Sequence, residues 1–263
     1  MKNIMIVHGF IFDEPNIDSL NSANLDFRPQ IETLVGQPVE LYQWYSAPFG
    51  LNAPRETFYS IYNTIKVWVR SWYEGYADPY SWCYNELVRH AQPGLTKAIN
   101  DNYARTGEKL ILIGHSLGTR MVLETATQSM NCIDKIILLN GAELVENVMP
   151  FLPSITCPVL NIAVKNDGVL ADLGSKFSGD GTGACIGHIG LEDKAPVNWT
   201  DIIIDDDVAI TIAKARGWDI EGDDGSDFID SLTRNHWYSY RNLNNAPLIR
   251  AFINGDTLSD FKR

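Results

Sequence analysis

Short, mostly apolar runs recur along the chain: Ile4 to Val7, Leu110 to Ile113, Lys135 to Leu139 and Cys157 to Val164. Runs of this length without polar alternation are expected of parallel strands buried on both faces. Pro38 to Tyr42 reads as a further strand near the sheet edge, and the isoleucine-rich Trp199 to Asp205 as the last strong one. Helix-like segments lie between them. Asp18 to Leu34 predicts a first helix, made irregular by its asparagines and Pro29. Tyr84 to Tyr103 predicts another, with Pro93-Gly94 as a kink or a new turn. Thr119 to Met130 and the amphipathic Pro247 to Ile253 follow. Gly181 to Ile186 makes a poor strand, because its glycines carry no packing side chain. The glycine-rich stretch Phe177 to Gly190 lacks the Gly-Lys-Ser/Thr ending of a phosphate loop and reads as a flexible loop.

One block departs from this pattern. Tyr42 to Tyr84 holds half of the chain's aromatic residues. Within it Phe58, Ile61, Tyr62, Ile65, Trp68, Val69, Trp72 and Tyr76 recur at spacings of three and four, the period of an amphipathic helix. Asn52 suits its N-cap, Pro54 its first turn and Gly75 its stop. Residues 46–83 therefore read as an insertion in a single domain spanning 1–263. The stripe is either a cap that walls an apolar pocket or a face packed on the core or a partner subunit.

The strongest chemical signal is Gly114-His115-Ser116-Leu117-Gly118. A buried strand precedes it and a helix follows, the context of a nucleophile elbow. The chain must reverse within a few residues, and glycines two before and two after the serine leave room for that crossing. With these flanks the sequence resembles the α/β-hydrolase family, in a compact esterase- or lipase-like form, over roughly Asn3 to Tyr45 and Tyr84 to Phe252. The resemblance implies an α/β fold: a mostly parallel central sheet with helices on both faces, plus the aromatic-rich helical insertion. It also implies Ser116 as nucleophile of a Ser-His-acid triad. His8-Gly9 follows the first strand, and in this family such a pair precedes an oxyanion-hole residue. By resemblance the Phe10 and Leu117 N–H groups would bind the oxyanion.

The acid and the base come after the serine. Lys165-Asn166-Asp167-Gly168-Val169 closes a strand where the family places its acid, so Asp167 takes that role, with Asp172 as the fallback. Two histidines follow. His188 lies in Gly187-His188-Ile189-Gly190, which resembles the histidine segment of some minimal bacterial lipases. His236 lies in Asn235-His236-Trp237. The catalytic histidine belongs after the last strand, which favours His236, and His188 is the alternative. His90 has no partner in the sequence and reads as a surface or cap residue.

Composition narrows the partners. The formal net charge of -12 argues against nucleic acid and anionic membranes. No apolar run is long enough to span a bilayer. Cys83, Cys132, Cys157 and Cys185 form no C-x-x-C pair, so no zinc site is expected and buried thiols are. Asp205-Asp206-Asp207 and Asp223-Asp224-Gly225-Ser226-Asp227 lack the calcium-loop spacing and read as solvated loops. Neither a cofactor nor a metal is expected. Without a secretory leader motif, the expected location is the cytoplasm. The expected substrate is a small ester with an apolar or aromatic acyl or alcohol group. Thioester and amide cleavage would use the same machinery. The competing class is a non-catalytic α/β-hydrolase fold whose aromatic surface binds a ligand or partner.

Overall fold

The apolar runs lie side by side. The computed structural model describes residues 1–9, 27–42, 44, 72–73, 75, 79–178, 181–220 and 236–262. Its strands are β1 (Asn3–Val7), β2 (Glu40–Tyr42), β3 (Leu110–His115), β4 (Ile133–Leu139), β5 (Val159–Ala163) and β6 (Trp199–Ile203). They form one six-stranded sheet in the order β2-β1-β3-β4-β5-β6, and every neighbouring pair is parallel. This is the mostly parallel sheet of the α/β-hydrolase fold, with β2 at the edge as expected.

The pleat sorts side chains onto two layers. Met5, Val7, Leu110, Leu112, Ile136 and Leu138 face one. Ile4, Ile6, Ile111, Ile113, Ile137 and Leu139 face the other. Helices α1 (Phe27–Val35), α2 (Val88–Thr106), α3 (Gly118–Ser129), α4 (Gly168–Phe177), α5 (Ile186–Ile189), α6 (Asp207–Ala215) and α7 (Ala246–Ile253) cover them. Leu95 and Ile99 of α2, Met121 of α3 and Leu173 of α4 pack on the first layer. Ile31 and Leu34 of α1, Ala213 of α6 and Leu248 and Phe252 of α7 pack on the second. Each fully buried aliphatic side chain contributes roughly 1.5–3 kcal/mol relative to exposure. The two-sided burial explains why the strands read as continuous apolar runs rather than alternating ones.

Several local expectations change. Pro93-Gly94 neither ends nor restarts α2, which runs through both. A Cβ on Gly94 would stand 2.5 Å from the Tyr42 hydroxyl, which donates to Ala91 O, so a larger residue there would have to displace that side chain. A π turn, Cys83–Leu87, leads into α2. The stretch expected to be a flexible loop is partly core: Cys185 and Ile186 are buried, and α5 begins there. The acidic run after β6 is not simply solvated. Asp206 caps α6 by accepting from Val208 N, and Asp205 holds a loop described below. Cys132, Cys157 and Cys185 are free, buried thiols.

Phe10, residues 18–26 of the first expected helix, most of 46–83, and 221–235 lie outside the described residues, as does the His90 side chain. Of the aromatic stripe only Trp72 is described, and it is exposed. Trp82 and Tyr84, at the return to the core, are buried. Among the described residues no helix is long and apolar enough to cross a membrane.

Candidate active site

At the end of β3 the chain turns at Ser116 with φ of +52°, a left-handed conformation that is costly for a residue with a side chain. Backbone atoms crowd the turn. A Cβ on Gly118 would stand 2.4 Å from Val7 O and 2.6 Å from His8 O. A Cβ on Gly9 would stand 2.6 Å from that of Ser116. The chain after β1 and the start of α3 thus cross at contact distance, which only glycine permits. Three backbone bonds fix the turn: Ser116 N to Leu139 O, Thr119 N to Ser116 O, and Ala142 N to Ser116 O. The Leu117 N–H, at the N-terminus of α3, has no acceptor among the described residues. A helix N-terminus of this kind favours negative charge.

Asp167 ends the β5 loop and is fully buried. Its Oδ1 accepts from Val169 N and Leu170 N, both at 3.0 Å, so the carboxylate also caps α4. Its Oδ2 accepts from Asn140 Nδ2 at 2.8 Å and lies 2.8 Å from His236 Nδ1. On the far side of the ring, His236 Nε2 lies 3.1 Å from Ser116 Oγ. A carboxylate only accepts, so Nδ1 carries the proton and Nε2 presents its lone pair to the serine hydroxyl. Ser116, His236 and Asp167 thus form one continuous hydrogen-bonded chain.

The two alternatives lie elsewhere. Asp172 is on α4 and pairs with Lys176. His188 Nε2 donates to Lys165 O at 3.0 Å, holding the loop that carries Asp167 from outside the Ser116–His236–Asp167 chain. Asp205 grips the same loop, its two oxygens accepting from Lys165 N at 2.7 Å and Asn166 N at 2.8 Å.

Two further buried histidines stand at the ends of the strands around the serine turn. His8 accepts from Trp44 N–H at Nε2, so its Nδ1–H donates to Gly9 O at 2.7 Å. Its ring stacks on Trp44. Burial lowers its pKa to about 4, against the pull of the bonds to Gly9 and Trp44. Burial, then the neighbouring His236, also holds His115 well below the usual histidine range. Both imidazoles are therefore neutral at pH 7.

A polar cluster missed in the sequence sits behind α3. Glu143, fully buried, accepts from the Tyr84 hydroxyl, from Leu144 N and from Arg120 Nη1. The Arg120 guanidinium lies over the Tyr84 ring, and Asn147 donates to the Tyr84 hydroxyl. Burial pushes the Glu143 carboxyl up, while Arg120 pulls it down. The cluster ties the returning end of the aromatic block, at Tyr84, to α3. Tyr84 could have been suspected only from its place among buried aromatics, not from any motif.

Among the described residues no group of three or more His, Cys, Asp and Glu side chains could hold a metal ion. A cavity of about 480 Å³ lies along the β6 edge, lined in part by Trp199, Ile203, Ile212 and Phe261, and touches none of Ser116, Asp167 and His236.

No family model matches the chain, and a search of curated proteins gave no match. Among solved structures the chain is similar to an uncharacterized protein from Bacillus cereus ATCC 10987, at 14% identity and a TM-score of 0.40. That match covers 64% of this chain but only 44% of the other, less than half its length. The chain is also similar to a predicted CIB-like hydrolase from Thermoplasma acidophilum, at 18% identity and a TM-score of 0.38, covering 77% of this chain and 74% of that one. Likenesses this weak carry no chemistry across.

Proposed function

We propose that the protein is a serine hydrolase that cleaves carboxylic esters through an acyl-enzyme. The observation that carries this reading is the unbroken Asp167–His236–Ser116 chain at 2.8 and 3.1 Å, with the serine on a left-handed turn at a helix N-terminus. In this mechanism Ser116 Oγ attacks the carbonyl carbon while His236 Nε2 takes its proton. His236 then gives that proton to the leaving oxygen. Asp167 keeps Nδ1–H pointed at itself and stabilises the imidazolium. The Leu117 N–H, with the Phe10 N–H, would receive the oxyanion; each such donor is worth about 3–4 kcal/mol in the transition state. Water, deprotonated by the same imidazole, releases the acyl group. The aromatic block supports an apolar or aromatic acyl or alcohol group. Thioesters and amides need the same groups, and substrate comparison ranks the three.

The test is fluorophosphonate labelling of the purified protein, located by peptide mass spectrometry, followed by an acyl-chain and leaving-group panel. The label is expected on Ser116 and lost in Ser116→Ala and His236→Ala. Each substitution should lower turnover of the best ester by roughly 10⁴-fold or more. A folded protein that takes no label and turns over no ester would overturn the reading in favour of a non-catalytic binding protein.

A further inference from the structure

Asn140 is the first residue after β4. It is fully buried and has φ of +45°. Its backbone N–H donates to Ile162 O at 3.1 Å, which fixes it beside β5. The chain behind it is equally confined: a Cβ on Gly187 would stand 2.0 Å from Gly141 N and 2.4 Å from the Asn140 carbonyl carbon. On this rigid base the side chain reaches two parts of the site. Nδ2 donates to Asp167 Oδ2, the same oxygen that faces His236 Nδ1. Oδ1 accepts from Ser239 N at 3.3 Å, three residues beyond His236. The two contacts agree in chemistry. Asp167 can only accept and the Ser239 N–H can only donate, so the amide has one orientation that satisfies both.

We infer that Asn140 is a positioning residue. Its amide sets the direction of the Asp167 carboxylate and the separation between the acid and the His236 loop. The inference rests on the Ser-His-Asp reading above. A left-handed position accepts glycine as readily as asparagine, so backbone conformation alone does not require this side chain. Nor does solubility, since the residue is buried. What asparagine supplies, and glycine does not, is a donor and an acceptor on one rigid plane.

Two variants test it. Asn140→Gly suits the backbone, so it should fold; its kcat should fall by up to roughly 100-fold with KM unchanged, as expected when a reacting group is misaligned. Asn140→Asp keeps the acceptor for Ser239 N but has no N–H for Asp167. Its kcat relative to wild type should rise as pH falls, because a proton shared by the two carboxylates replaces the missing donor. The other ionisable groups at this point are His236, present in both proteins, His115, held neutral behind it, and the Cys185 thiol, which burial and then Glu143 and Asp167 push up. A third readout needs no turnover: the His236 Nδ1–H proton resonance should shift or broaden in Asn140→Gly. Wild-type kcat and an unmoved resonance in Asn140→Gly would overturn the inference. Should that variant not fold, a pH-independent kcat ratio for Asn140→Asp would overturn it instead. If wild type takes no label at Ser116, the hydrolase reading fails, and the resonance alone still decides whether Asn140 orients His236 and its acid.

Discussion

At the serine turn the chain is confined by atoms at contact distance: Val7 O and His8 O against Gly118, and the Ser116 side chain against Gly9. At the acid turn it is confined by hydrogen bonds. Asp167 accepts from two backbone N–H groups and Asn140, while Asp205 and His188 hold Lys165 and Asn166. Both turns end a buried parallel strand, and both deliver one side chain to His236. The difference teaches how each can fail. Steric confinement carries no charge and tolerates no added atom. A polar clamp can lose one bond and keep the rest, so its failure should be graded.

The sharpest way to break the comparison is to add a methyl group on the steric side. Gly118→Ala should destabilise by roughly 3 kcal/mol or more, because its neighbours are backbone atoms that cannot step aside. Urea unfolding checks this, and a loss below about 1 kcal/mol would show that the crossing relaxes.

Acid should come next, and it should strike the serine side through His8. The folded pKa of about 4 lies below the ordinary value of 6.5. The unfolded chain therefore binds the proton first, and stability is lost as pH falls from 6.5 to 4. For so buried a group the loss is on the order of 3 kcal/mol. His115, lowered for the same main reason, acts in the same direction. Unfolding measured between pH 7 and 4 should show the drop, and His8→Gln should flatten part of it.

The smallest effect is expected on the polar side. Asp205→Ala removes two bonds from a half-exposed carboxylate, so it should cost about 1 kcal/mol and lower ester turnover less than tenfold. A loss of turnover as large as that of His236→Ala would mean the acid turn is as intolerant as the serine turn.

How much of this was legible in the sequence follows the same division. Ser116 stands in a motif whose glycines are themselves the constraint, so the steric side can be read directly. Asp167 and His236 are read from strand order through the α/β-hydrolase resemblance, Asp167 at the end of a buried run and His236 beyond the last one. The clamp was not legible. Asn140 meets Asp167 across 27 residues, and Asp205 meets Asn166 across 39. Asp205 and His188 bind backbone groups, which leave no trace in residue identity. Asp205 therefore looked like part of an acidic run. Tyr84, Arg120 and Glu143 are widely spaced for the same reason, and only the packing of the π turn on α3 reveals them as a unit. The residues around the aromatic stripe lie outside those described, so its role rests on pattern alone.

The separations within the triad have a consequence for the chain as it is made. His236 meets Asp167 across 69 residues and Ser116 across 120. A fragment that ends just after the Asp167 loop contains the residues of the serine turn and the acid turn, yet it lacks the imidazole of His236. On the proposed mechanism, the serine of such a fragment is an ordinary alcohol. On the hydrolase reading, reactivity waits for His236, which follows every described strand in sequence, to dock beside Ser116 and Asp167, so a fragment that stops short of it is chemically inert.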